Sequence, residues 1–161
     1  MLRFDLRALE SKAVSVDGEL PAKDAVWEEG DPLPVGAVRA RGRLASAGNG
    51  RFLWSGRIRG DAHVECRRCL TDLTVPVAED VHLLFAEAGD DEVDDPDVYQ
   101  FDPRARELDL RPAIREQWLL AAPSYVLCRE ECLGLCPQCG ADRNTEQCTC
   151  SHAHQARESS A

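Results

Sequence analysis

Three features of this sequence point to an α+β protein. Several stretches between residues 2 and 85 alternate apolar and polar residues with period two, as half-buried strands do. Only one stretch, around residues 107–123, carries helical periodicity. Six of the eight cysteines fall between positions 128 and 150. Together they predict an antiparallel β-sheet or small β-barrel, one packing helix and a C-terminal cysteine-rich, zinc-binding segment. The expected organisation is a β-rich core over 1–124, a zinc-binding segment over 125–150 docked on that core, and a disordered tail over 151–161.

In chain order, the opening "LRFDLRAL" alternates and reads as a strand. The following "DGELPAKDAVWEEGDPLPVG" is rich in proline and glycine and reads mostly as loop, with Val26 and Trp27 as a core anchor. "AVRARGRLAS" places Arg39, Arg41 and Arg43 on one face and Val38, Ala40, Gly42 and Leu44 on the other. "AGNG" supplies the residues a tight hairpin turn needs for positive φ. "RFLWSGRIRGDAHVEC" returns as a long strand or a bent pair broken at Gly60. "LTVPVAEDVHLLFA" gives one strand or two, with Pro76 marking an edge or a break. "ELDLRPAIREQWLLAAP" is the helix: Asp109 as N-cap, Pro112 in the first turn, Ile114 and Trp118 on its apolar face, Pro123 as its stop.

The net charge of −10 argues against a general nucleic-acid binder, yet the charge is segregated. Residues 39–68 hold eight arginines against Asp61 and Glu65, and residues 86–102 hold eight acids and no base. The N-terminus has no apolar segment of the kind that directs secretion, and no apolar run approaches the ~20 residues of a membrane span. A cytoplasmic protein with no membrane partner is therefore expected, in a compartment where eight thiols point to metal before disulfide.

The cysteines are spaced as ligands. Cys136 and Cys139 form "CPQCG", and Cys148 and Cys150 form "CTC" nine residues beyond Cys139. If the second pair lies on a strand, both of its thiols share a face and reach the ion held by the first. Four thiolates make a closed structural Zn²⁺ site. Cys66 and Cys69 in "ECRRCL", with Cys128 and Cys132 in "CREEC", can form a second quartet. The division of eight cysteines between one site and two stays open at this level, and so does a place for His152 or His154. Gly134 and Pro137 oppose a continuous helix that would align Cys128, Cys132 and Cys136. A reactive Cys66–Cys69 dithiol is the alternative, since Arg67 and Arg68 favour thiolate.

No catalytic signature is present: no G-x-S-x-G, phosphate-binding loop, dinucleotide fingerprint or H-E-x-x-H. A non-enzyme without a small-molecule substrate is expected. The order of "ECRRCLTDL" after an arginine-rich strand and "CREECLGLCPQCGADRNTEQCTC" near the C-terminus resembles the YceD family of bacterial and chloroplast proteins, described as large ribosomal RNA subunit accumulation proteins. The resemblance spans roughly residues 1 to 151. Carried over by position, it covers Cys66, Cys69, Cys128, Cys132, Cys136, Cys139, Cys148 and Cys150, with Gly134, Leu135, Pro137 and Gly140 around the turn. Arg143 stands before Asn144 where the family pattern usually has leucine.

The resemblance implies a non-catalytic role in large-subunit rRNA accumulation and ribosome assembly. The partner is then that rRNA or a basic large-subunit ribosomal protein. For RNA, the expected contacts are Arg39, Arg41, Arg43, Arg57 and Arg59 on phosphates, with Phe52 and Trp54 as possible stacking residues. Two other functions fit the residues: a thiol–disulfide or redox-sensing protein using Cys66 and Cys69, and an acidic adaptor that holds a basic ribosomal protein through residues 87–97.

Overall fold

The structure is a computed structural model that describes residues 1–90 and 95–150. The expectations for the tail, for His152 and His154, and for residues 91–94 of the acidic stretch lie outside the described residues. In chain order the elements are β1 (Arg3–Asp5), α1 (Leu6–Ser11), β2 (Val14–Pro21), β3 (Ala37–Gly48), β4 (Arg51–Glu65), β5 (Asp72–Glu87), β6 (Val98–Phe101), β7 (Glu107–Asp109) and α2 (Arg111–Ala121). β2-β3-β4-β5-β6 form one open sheet, and β1 pairs with β7 in a second. Pairing is antiparallel for β2–β3 and β3–β4, and parallel for β5–β6. The architecture is thus an open, mixed sheet with few helices, not a closed barrel.

The chain divides into two compact units, one of Met1–Ala62 and Val75–Ala122, the other of His63–Thr74 and the described part of Pro123–Ala161. The first holds the sheet core. Along β3, Val38, Ala40 and Leu44 are buried while Arg39, Arg41 and Arg43 are exposed, so one face is packed and the other open. Phe52, Trp54 and Ile58 continue the packed face on β4, and Val77, Val81, Leu83 and Phe85 continue it on β5. The β3–β4 turn is the hairpin expected from "AGNG": Asn49 and Gly50 take φ of 53° and 70°, and Gly48 pairs with Arg51.

The opening strand ends at Asp5, whose carboxylate accepts the Ala8 N–H at 2.9 Å. That N-cap starts α1, which buries Leu9. β4 runs unbroken through Gly60, because the glycine serves packing: a Cβ there would stand 3.0 Å from Trp118 Cζ3. β5 runs unbroken through Pro76, which lies well before Leu84, where pairing with β6 begins. The N-cap of α2 is Leu110; Asp109 belongs to β7 and accepts the Arg111 N–H. Trp118, fully buried, donates from Nε1 to the Pro32 carbonyl at 2.7 Å, and Arg115 binds Asp31 at 2.7 Å. These contacts fix the proline-rich loop 22–36 on α2. Val26 and Trp27 are half-buried in that loop, and Trp27 Nε1 donates to the Pro21 carbonyl.

Among the described residues no helix is long and apolar enough to cross a membrane.

Candidate functional site

All eight cysteines are free, and they gather in the second unit as two quartets. Cys66, Cys69, Cys128 and Cys132 form one; Cys136, Cys139, Cys148 and Cys150 form the other. In each, the four sulfurs lie within 4.8 Å of one another. Individual Sγ separations are 3.8 Å for Cys66–Cys132, 3.6 Å for Cys69–Cys128, 3.4 Å for Cys139–Cys148 and 3.2 Å for Cys136–Cys148. Metal–thiolate bonds of ~2.3 Å in tetrahedral geometry set sulfurs ~3.8 Å apart. The donor set and its spread therefore fit one metal ion per quartet.

Local backbone chemistry explains the convergence. In each C-x-x-C the residue after the second cysteine folds back onto the first: the Leu70 N–H donates to the Cys66 carbonyl at 2.9 Å and the Gly140 N–H to the Cys136 carbonyl at 2.8 Å. That closure requires a left-handed residue, and Gly140 (φ 74°) meets it without strain. Leu70 meets it at φ 59° with its side chain more than half exposed. The two knuckles of the first quartet are sewn together through Arg68. Its carbonyl accepts the Leu135 N–H at 3.0 Å, and its guanidinium donates to the Cys132 carbonyl at 3.0 Å. Gly134, at φ 73°, lies so near this seam that a Cβ would stand 3.0 Å from the Arg68 carbonyl oxygen.

Backbone N–H groups aimed at sulfur set the thiol acidities. Burial disfavours a Cys66 thiolate, but N–H donors of Cys69, Cys128 and Arg68 win and bring its pKa to about 6. The Cys139 and Gln138 N–H groups bring Cys136 to about 6. Burial, then the neighbouring thiols, pushes Cys128 up to about 12, and hydrogen bonding with Cys136 and Cys139 pushes Cys148 up to about 12. Each quartet thus mixes acidified thiols, Cys66 and Cys132 in one and Cys136 in the other, with reluctant ones, Cys128 in one and Cys148 and Cys150 in the other, and a metal entering it must expel protons.

The quartets differ in depth. Cys66, Cys69 and Cys132 form a buried cluster against Leu73, Leu127 and Leu135. In the other, Cys136 is buried, Cys139 is exposed, and Cys148 and Cys150 are intermediate. Neither Cys148 nor Cys150 lies on a strand; Cys148 is in irregular chain and Cys150 in the turn that follows, with the Cys150 N–H directed at Cys148 Sγ. Cysteine spacing alone assigns no role to Asn144. Its amide donates to Cys132 Sγ at 3.4 Å and accepts the Leu133 N–H at 2.9 Å, so the loop between Cys139 and Cys148 braces a sulfur of the other quartet.

The arginines of the sheet unit lie on its open face. Arg39 stands opposite Arg59 and Arg41 opposite Arg57 across β3–β4, and these four line one surface recess. Arg39 and Arg41 pair with Asp17 of β2, and Arg57 pairs with Asp80 of β5. Of the acidic stretch, Asp90 binds Arg51. Phe52 and Trp54 are buried, at 2% and 0% exposure, and do not stack on a ligand. The indole of Trp54 covers the glycine pair Gly42–Gly56: a Cβ on either would stand 2.9 Å from Nε1.

Fold and site define a class: an open-sheet protein carrying a cysteine-built unit whose two four-thiol clusters could each hold a metal ion. The family model for the "Large ribosomal RNA subunit accumulation protein YceD" matches residues 54–159. The chain belongs to the YceD family. It is also similar to the "Uncharacterized protein YlbN" of Bacillus subtilis (strain 168), 24% identical over 140 residues, covering 86% of this chain and 80% of that protein. No solved structure matches it.

Proposed function

We propose that this protein is a cytoplasmic, non-enzymatic factor for the accumulation and processing of large-subunit rRNA during ribosome assembly. The observation that carries the reading is the pair of closed four-thiol clusters in a chain of this family. Four thiolates match Zn²⁺ in softness and geometry. When bound, the ion supplies cross-links between chain segments and offers no open position for substrate. Cys66, Cys69, Cys128 and Cys132 then hold Glu65–Leu70 against 128–135, and Cys136, Cys139, Cys148 and Cys150 hold the 136–150 loop. Arg39, Arg41, Arg43, Arg57 and Arg59 supply the RNA contacts.

The redox alternative meets an obstacle in burial: Cys66 is 0% and Cys69 7% exposed, so neither sulfur is open to a thiol or disulfide arriving from solution. The adaptor alternative rests on residues 87–97, of which 91–94 lie outside those described, and Asp90 of that stretch is already engaged by Arg51. Depletion of the protein, with large-subunit rRNA and subunit profiles as readout, tests the proposal. Reduced mature large-subunit rRNA, restored by wild type and not by Cys66→Ser, supports it. An unchanged profile overturns it.

A further inference from the structure

We infer that the open face of β3 and β4 is a track for one strand of RNA, selected against duplexes by carboxylates on both sides. This deepens the RNA-binding reading above and rests on it. The register puts arginine directly opposite arginine, Arg39 with Arg59 and Arg41 with Arg57. Like charges facing each other across strands destabilise a sheet, and these side chains contribute nothing to the core on the other face. The ion pairs to Asp17 and Asp80 offset that repulsion from the flanks of the face, and an anionic ligand lying between the two arginine columns would offset the rest.

The borders of the track are acidic. On β2, Asp17 stands opposite Arg41 and Glu19 opposite Arg39. On β5, Asp80 binds Arg57. With strands ~4.8 Å apart, the two arginine columns lie ~5 Å from each other and the two acidic columns ~14 Å apart. One sugar–phosphate chain fits between those borders. An A-form RNA duplex presents a second phosphate ridge across its wide, shallow minor groove, and that ridge meets Asp17 and Glu19 or Asp80. The ion pairs already on the face are half exposed, with side-chain exposures of 47% for Arg39, 59% for Arg41 and 53% for Asp17, so phosphates displace them at small cost. Because Phe52 and Trp54 face the core, bases find no stacking platform here. Recognition is of the backbone and tolerates any sequence.

The test is fluorescence anisotropy on the full-length, metal-loaded protein. The probes are a short unstructured RNA and its blunt duplex, each labelled at one end. The single strand should bind about tenfold tighter or better, and should lose about 100-fold in affinity between roughly 50 and 200 mM salt if all five arginines engage phosphates. In Asp17→Asn/Asp80→Asn the gap between duplex and single strand should close, while Arg41→Gln/Arg57→Gln should weaken both and flatten the salt dependence. Equal or tighter duplex binding by the wild type overturns the inference while leaving RNA binding intact, as does a gap that survives removal of the acids. Failure of the wild type to bind either probe overturns the RNA-binding reading itself. The wild-type comparison needs no variant to fold.

Discussion

Gly134→Ala should damage the first cysteine quartet more than Gly140→Ala damages the second, although both glycines sit at nearly the same φ, 73° and 74°. An L-residue in that region costs roughly 1–2 kcal/mol at either position. At Gly140 nothing lies within 4 Å of the added Cβ, so the cost stops there. At Gly134 the new methyl would press on the Arg68 carbonyl and displace the oxygen that accepts the Leu135 N–H, for about 1 kcal/mol more. The total is about 2–3 kcal/mol. Because metal binding and folding of such a unit are linked, this converts to a metal site about 30- to 150-fold weaker, against about 5- to 30-fold for Gly140→Ala. Competitive zinc titration of the full-length protein with a chromogenic chelator reads both. Equal losses in the two variants would show that the Arg68 seam does not hold the knuckles together.

Leu70→Gly should be neutral or stabilising, by up to about 1 kcal/mol, because it relieves a left-handed leucine that buries little; thermal denaturation of the metal-loaded protein checks it, and a loss of stability contradicts it. Asn144→Ala should lower metal affinity at the first quartet by about 10- to 100-fold without removing a ligand, the usual effect of losing a group that orients one; chelator competition reads it. Asp31 has its pKa held below 3.8 by the Arg115 guanidinium first and the Glu28 N–H second. Its pairing is thus fully present above its unfolded value and is lost as pH falls through the lowered folded one. Asp31→Asn should flatten the fall in stability below about pH 4, measured by denaturant titration at several acidic pH values.

What the sequence disclosed depended on whether a signal was local. The β3–β4 hairpin was legible because Asn49-Gly50 and the flanking period-two pattern are contained within a few residues. So was α2, from Pro112 to Pro123. From sequence most of β2 reads as loop, although Val14, Val16, Gly18 and Leu20 alternate with Ser15, Asp17 and Glu19, because Gly18 and Pro21 mask the pattern. β6 and β7 are too short to show a period, and the partners that define them, Leu84–Glu87 and Arg3–Asp5, lie elsewhere in the chain. The cysteine quartets were legible from spacing, but their division into two sets is a tertiary fact, as is the approach of Asn144 to Cys132. A strand aromatic such as Trp54 gives no hint of which face it occupies until the glycine pair beneath it is located.

Native mass spectrometry of the full-length protein, with and without a zinc chelator, tests the central claim most directly. Two zinc ions per chain, lost to the chelator together with a shift to higher charge states as the cysteine-bearing unit opens, is the predicted result. A metal-free chain whose mass shows its cysteines paired in disulfides, or one whose charge-state distribution ignores the chelator, would contradict it.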